Sequence, residues 1–140
     1  MESTLAILKP DTVAAGNAGK VLAHLESEGF TIRGLKVVHL TAAQAQAFYA
    51  VHRERPFYAS LVAFMTEGPV LPVALERENA VVHLRQVMGA TDVAKAEPGT
   101  IRKLYGSSIE RNAIHGSDSP ENAAQELAFF FSEAERIAAR

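Results

Sequence analysis

Apolar residues recur along this chain in two rhythms, and their alternation predicts an ordered series of strands and helices. Leu5-Ala6-Ile7-Leu8 is a short unbroken apolar run stopped by Lys9-Pro10, which reads as a buried strand. Val21, Leu22 and Leu25 then follow helical spacing, with Gly29 where a C-cap would fall. Phe30, Ile32, Leu35, Val37, Val38 and Leu40 form a second, mostly extended run. Thr41-Ala42-Ala43-Gln44 has capping-box spacing and opens a helix expected to reach about Val51. After Pro56, Phe57, Leu61, Phe64 and Met65 share one helical face that stops before Gly68. Val70 to Leu75 reads as a third strand. Pro72 within it predicts an edge position or a bulge, because proline cannot donate to a sheet ladder. Asn79 is placed to cap a helix carrying Val82, Gln86 and Val87 up to Gly89. A polar loop with Pro98-Gly99 leads to a short helical stretch from Ile101 to Tyr105. The segment around His115 ends or follows a fourth strand, and Ser119-Pro120-Glu121 starts the last helix.

The predicted order is strand, helix, strand, inserted helices, strand, helix, strand, helix. Without the inserted helices this is a doubled βαβ. The expected fold class is α+β, a ferredoxin-like sandwich of a four-stranded antiparallel sheet with helices. No linker, repeat or low-complexity tract divides the chain, so residues 1–140 are expected to form a single domain.

Composition narrows the function classes. Hydrophobic residues make up 48% and charged residues 21%, ordinary values for a globular chain. A net charge of -2 leaves no basic footprint, so no nucleic-acid partner is expected. The absence of cysteine excludes disulfides, Cys-ligated zinc and thiol catalysis. No apolar run approaches the ~20 residues of a membrane span, and no signal-peptide pattern opens the chain. A cytoplasmic protein without membrane partners is expected.

The chemistry concentrates in Arg111-Asn112-Ala113-Ile114-His115-Gly116-Ser117-Asp118, which sets one imidazole among an amide, a glycine, a hydroxyl and a carboxylate. A neutral His nitrogen is a nucleophile at neutral pH, since its unperturbed pKa is about 6.5. Gly116 allows close backbone approach to a ligand or a positive φ. In the last helix Ala123, Glu126, Leu127 and Phe130 share a face, which leaves Glu126 at the margin of an apolar stripe and in need of a partner. His115 and Ser117 are nearest by chain proximity. A Glu that holds one ring nitrogen of His115 leaves the other free to attack phosphorus. Lys9, Arg55, Arg85 and Arg102 are candidate cations for phosphates. Phe57 defaults to a core position, but if exposed it could stack on a base.

Other motifs fail. Gly16-Asn17-Ala18-Gly19-Lys20 invites a P-loop reading, yet Ala14 stands where the first glycine belongs and Val21 where the hydroxyl belongs. No histidine pair has metal-ligand spacing with a carboxylate, so no metal-ligating residue is assigned. His24, His39, His52 and His83 are expected to be structural or solvent-facing.

Taken together, Leu8-Lys9-Pro10-Asp11, Phe48-Tyr49, Arg55-Pro56-Phe57, Gly68-Pro69-Val70, Met88-Gly89-Ala90-Thr91, Pro98-Gly99-Thr100-Ile101-Arg102 and Asn112 to Asp118 resemble the nucleoside diphosphate kinases from Leu5 to about Phe131. The resemblance implies transfer of the terminal phosphate of a nucleoside triphosphate to a nucleoside diphosphate through a phosphohistidine on His115, with ping-pong kinetics and broad base tolerance. It implies attack through Nδ1 of His115, Glu126 on the other nitrogen, and Ser117 supporting Glu126. Lys9, Tyr49, Arg85, Thr91 and Arg102 would contact phosphates, and Lys9 and Asn112 the ribose. Phe57 and Ile109 would sandwich the base, with Leu61 beside it. Mg²⁺ would arrive bridging the phosphates.

Asp92-Val93 stands where many members carry Asn-Pro, Arg77 replaces a usual glycine, and Pro72 lies in a usual strand. The missing proline at Val93 and the short stretch after Phe131 favour a homotetramer, with a homohexamer as the alternative. Two other classes remain compatible with the residues. A module passing phosphate from His115 to a protein partner predicts poor turnover with free diphosphates. A structural oligomer without catalysis sits badly with the retention of Lys9, Arg85, Arg102, Asn112, His115 and Glu126.

Overall fold

The computed structural model describes residues 1–140. Strand β1 (Glu2–Leu8) leads through a short helix α1 (Pro10–Ala14) into α2 (Ala18–Ser27), and β2 (Thr31–Leu35) follows. Helices α3 (Ala42–Phe48) and α4 (Tyr58–Met65) are inserted before β3 (Leu71–Arg77). Helix α5 (Ala80–Met88), α6 (Ile101–Tyr105), β4 (Ile114–Gly116), α7 (Pro120–Phe130) and α8 (Glu133–Ala138) complete the chain. The strands form one antiparallel sheet in the order β2-β3-β1-β4. This is the expected ferredoxin-like α+β sandwich. No helix is long and apolar enough to cross a membrane.

The sheet is buried on both faces, which is why β1 reads as an unbroken apolar run. Ala6 and Leu8 point into a cluster with Val21, Leu25, Leu84 and Met88 from α2 and α5. Leu5 and Ile7 point the other way, onto Tyr49, Met65, Leu127 and Phe130 beside α3, α4 and α7. Ile114 joins the first cluster, so the period of two sends His115, opposite Ile7, to the second face.

Local chain chemistry sets most boundaries. Helix α2 ends in a Schellman arrangement: Gly29 N–H donates to the Glu26 carbonyl and Phe30 N–H to the Leu25 carbonyl, with Gly29 at φ +88°. Thr41 and Gln44 make the expected capping box, but α3 stops at Phe48 and its continuation is a 3₁₀ turn over Ala50–His52. Ser119 caps α7 by accepting from the Asn122 N–H.

Three expectations are corrected. Pro72 lies on an interior strand, not an edge, and the irregularity of the β2–β3 pair falls between Ile32 and Gly34 instead. Pro72 is tolerated because its carbonyl accepts from Lys36 N, just past the end of β2. A strand residue's N and C=O share one side, so the missing donor faces Lys36 alone, and the pairing resumes two residues on, where Val38 and Val70 exchange both backbone hydrogen bonds. Asn79 occupies the N-cap position of α5 at φ 52° without a side-chain cap; the Glu2 carboxylate accepts from Val81 N–H in its place. Val82 is exposed, and α5 buries Val81, Leu84, Val87 and Met88. Helix α8 is an addition. Ser132 and Glu135 form its capping box, and Lys36 ties it to the sheet through Glu135.

Candidate active site

His115 is the middle residue of the short strand β4, and α7 begins only four residues past the end of that strand, behind its Ser119 cap. That short turn brings one face of α7 back over the strand. Ala123, Leu127 and Phe130 anchor this face in the core and carry Glu126 to the imidazole. Nε2 of His115 lies 2.7 Å from Glu126 Oε1, and Ser117 Oγ donates to the same oxygen at 2.9 Å. A carboxylate can only accept, so Nε2 carries the proton and Nδ1 keeps its lone pair. Rings of Phe48 and Tyr49 meet the imidazole edge-on at 5.5 and 6.1 Å and limit its rotation. Phe48 was not among the expected site residues, although it directly precedes Tyr49.

A second cluster surrounds the loop that precedes β4. Lys9 Nζ donates to Asn112 Oδ1 at 2.8 Å, and Asn112 Nδ2 donates to the carbonyls of Thr91 and Ile109. Arg102 donates from one amino group to the Gly89 carbonyl and from the other to the Ile114 carbonyl at 2.8 Å, the residue before His115. Lys9 and Arg102 are each only 7% exposed, and neither takes part in a salt bridge. Burial, then repulsion from Arg102, lowers the Lys9 ammonium to about 8, while Asp11 and Glu110 oppose the shift. Burial and neighbouring Arg85 push the Arg102 guanidinium down to about 10. Two buried cations without a carboxylate partner form a site short of negative charge. An anion arriving there relieves the cost of both.

A cavity of about 440 Å³ is lined by Arg85, Met88, Gly89, Thr91, Thr100 and Arg102. It covers only the Arg85 and Arg102 part of the site; Lys9, Phe57 and His115 lie outside its walls. Arg85 and Thr91 are exposed at its mouth. Arg55 is exposed and makes no side-chain hydrogen bond or ion pair within the chain. Tyr49 is buried, its hydroxyl has no hydrogen-bond partner, and burial together with the Glu126 charge raises it above its ordinary value.

On the open side stand two exposed apolar residues. Phe57 is 46% and Ile109 63% exposed, so Phe57 is not the core position its spacing predicts by default. Phe57 rests against the His52 ring at 5.5 Å, and His52 stacks on Tyr49. Leu61, one turn further along α4, is half-buried. Gly116 departs from expectation: its φ is not positive, and it faces away from the site. A Cβ there would meet Met88 Sδ at 2.5 Å, so this glycine lets β4 pack closely on α5. Gly16 to Lys20 is a turn into α2, not a phosphate loop.

This geometry has close counterparts. The sequence profile of the family described as nucleoside diphosphate kinase matches residues 2–136. A nucleoside diphosphate kinase of Sorangium cellulosum is 54% identical over 132 residues, covering 94% of this chain and 92% of that protein. The solved nucleoside diphosphate kinase of Aquifex aeolicus superposes with a TM-score of 0.93 at 46% identity, over 96% of this chain and 97% of that one. That of the halophile Halobacterium salinarum, solved in complex with CDP, gives 0.91 at 40% identity over 96% of this chain and 90% of its own. The chain belongs to the nucleoside diphosphate kinase family.

Proposed function

We propose that the nucleoside diphosphate kinase activity of this chain runs through His115 as the transient phosphate acceptor, with residues 1–140 acting as one domain. The observation that carries this reading is the pairing of Glu126 with Nε2, which leaves Nδ1 as the free nucleophile beside a cluster of under-neutralised cations. Nδ1 attacks the γ-phosphorus in line. The N–P bond forms as the bond from phosphorus to the β,γ-bridging oxygen breaks, and the electron pair leaves on the diphosphate. The imidazole gains positive charge in this step, and Glu126, 2.7 Å away and steadied by Ser117, stabilises it. A second diphosphate then reverses the sequence and leaves as a triphosphate.

Lys9, Arg85 and Arg102 supply cations for the phosphates, with Thr91 and the Tyr49 hydroxyl as further donors. Lys9 and Asn112 reach the ribose hydroxyls. Phe57 and Ile109 hold the base between exposed apolar faces, with Leu61 beside them. Stacking of this kind ignores base identity, since every base has a π-face. A pyrimidine diphosphate in the Halobacterium salinarum relative accords with such tolerance.

Members of this family use a divalent cation with their nucleotides. No cluster of three or more His, Cys, Asp or Glu side chains could hold one by itself, and the residues near the phosphates are cations, amides and hydroxyls. These groups fit a Mg²⁺ that arrives bound to the phosphates and water. Such an ion screens phosphate charge and fixes the conformation of the triphosphate.

A homotetramer is the proposed assembly, with a homohexamer as the alternative. The outer edge of β2 has no strand partner within the chain, and Leu35 and Val37 beside it are exposed. Asp92 and Val93 open a 3₁₀ turn without the proline that would pre-set its backbone. A cytoplasmic setting fits the cysteine-free composition.

A chase experiment tests the reading. Enzyme treated with ATP and Mg²⁺ and freed of nucleotide is mixed with CDP; CTP and unmodified enzyme should appear in equal amounts. Failure of the isolated enzyme to phosphorylate CDP would refute a ping-pong route.

A further inference from the structure

His115 follows a strained turn. Ala113 sits at φ +75°, and Ile114 N–H donates to the Asn112 carbonyl at 2.9 Å. A hydrogen bond from residue i+2 to residue i about a positive-φ centre is the rare form of the γ-turn. A side chain with a Cβ avoids that conformation, which persists only where its surroundings over-determine it. Ala113 is fully buried, so solvent does nothing to hold it.

The restraint comes from one short segment at the end of β1. Lys9 N–H and Thr12 Oγ1 both donate to the Ala113 carbonyl, each at 2.9 Å. Asp11 Oδ2 accepts from the Ala113 N–H at 3.1 Å. Both backbone polar groups of Ala113 are thus taken by residues about a hundred positions away in the chain. The other Asp11 oxygen, Oδ1, is buried and has no partner.

The strand that follows cannot set its own position. Strand β4 has three residues and only three register pairs with β1, against seven between β1 and β3. A strand that short gives weak register, while a one-residue slip sends a side chain to the opposite face. Asn112, by contrast, is held independently by Lys9, Thr91 and Ile109. We infer that Asp11 and Thr12 are positioning residues for His115: they lock Ala113 in the strained turn, and the turn fixes the phase of β4 that aims Nδ1. The inference rests on the reading of His115 as phosphate acceptor.

The test compares Asp11→Ala, Asp11→Asn and Thr12→Val in the full chain, each checked by thermal unfolding and assayed well below its midpoint. Asp11→Ala should slow single-turnover phosphoenzyme formation by about 10- to 100-fold, the scale on which small misplacements act. Assayed near pH 6.5, where the Lys9 ammonium stays charged without help from Asp11, KM should move by less than about threefold, because the remaining nucleotide contacts are held separately. Asp11→Asn keeps an oxygen that accepts from Ala113 N–H and should recover to within about threefold of wild type. In the Ala113→Gly background, where φ +75° carries no strain, the cost of Asp11→Ala should shrink to less than about threefold. A folded Asp11→Ala protein with the wild-type rate overturns the inference, as does a loss that Asp11→Asn leaves unrescued. Should Asp11→Ala not fold, Thr12→Val decides: a loss of about 3- to 10-fold in kcat at constant KM supports positioning, and an unchanged kcat overturns it. The wild-type control separates the two readings. A wild type that forms no phosphohistidine removes the function reading and this inference with it. A normal wild type beside an unaffected Asp11→Ala removes the positioning role alone.

Discussion

Nε2 of His115 donates to Oε1 of Glu126 at 2.7 Å, across eleven positions of chain that leave a strand, cross a capped turn and enter a helix. The pair fixes the tautomer and the ring plane together. Its partners are a hydroxyl, Ser117, and two aromatic edges, Phe48 and Tyr49, so little freedom remains for the imidazole.

Removing the carboxylate should therefore act on chemistry more than on binding. Glu126→Ala is expected to slow phosphoenzyme formation by roughly 10- to 1,000-fold, the range associated with losing one aligned electrostatic partner. Nucleotide affinity should hold within about threefold, because the cations that meet the phosphates are untouched. Quench-flow rates beside calorimetric titration with ADP check this. An unchanged phosphorylation rate would remove Glu126 from the site.

Lys9 makes nucleotide binding pH-dependent. Its ammonium is lowered to about 8 by burial and by Arg102, so the free enzyme loses this charge as pH rises through that value. ADP affinity should fall between pH 7.5 and 9, and binding near pH 8 should take up protons, since phosphate restores the charged form. Lys9→Met should weaken binding and abolish that proton uptake. For the free protein the sign is reversed. A folded value below the unfolded one means that the unfolded chain holds more protons between about 8 and 10.5, so this group makes stability rise with pH there. Titration in buffers of different ionisation heat measures the uptake, and its absence at pH 8 would contradict the assignment.

Phe57 tests the base site. It is 46% exposed, so Phe57→Ala should leave the unfolding midpoint nearly unchanged while weakening nucleotide binding by about 1–3 kcal/mol. The loss should be similar for ADP, GDP, CDP and UDP. Wild-type activity on the four should agree within about an order of magnitude, as stacking predicts. A strong preference for one base at saturation would contradict the stacking account.

Assembly has a discrete readout, because closed symmetry allows few states. Light scattering at micromolar protein should give the mass of four subunits. A mass near six would favour the alternative, and a mass near one would contradict self-association through the open β2 edge.

Much of the fold was legible because local chemistry and burial agree. The all-apolar run of β1 marks a strand covered on both faces, and Thr41-Gln44 and Ser119-Pro120 make the caps that their spacing predicts. Helix α8 carries the same capping-box spacing at Ser132 and Glu135, so its signal was present in the sequence. Pro72 was misleading because its effect depends on which side of the strand its nitrogen faces and which residue lies opposite, and both are tertiary facts. The Asn79 cap failed for a similar reason: Glu2, distant in sequence, takes its place. In the site, helix spacing put Glu126 at the margin of an apolar face and chain proximity offered His115 and Ser117 as its partners, while the support of Glu126 by Ser117 came from the family resemblance. Nothing about Asn112-Ala113-Ile114 announces a positive φ at an alanine, so the roles of Asp11 and Thr12 became visible only from long-range hydrogen bonds.

In mid-reaction, phosphate is expected to rest covalently on His115. Intact-mass spectrometry at neutral pH, after brief incubation with ATP and Mg²⁺, tests it most directly. The wild-type enzyme should carry an adduct of about 80 Da, one phosphoryl group, that disappears on acid treatment, maps to His115 by fragmentation, and is absent from His115→Gln although that variant still binds ADP. An active wild-type enzyme with no adduct, or an adduct that persists in His115→Gln, would contradict it.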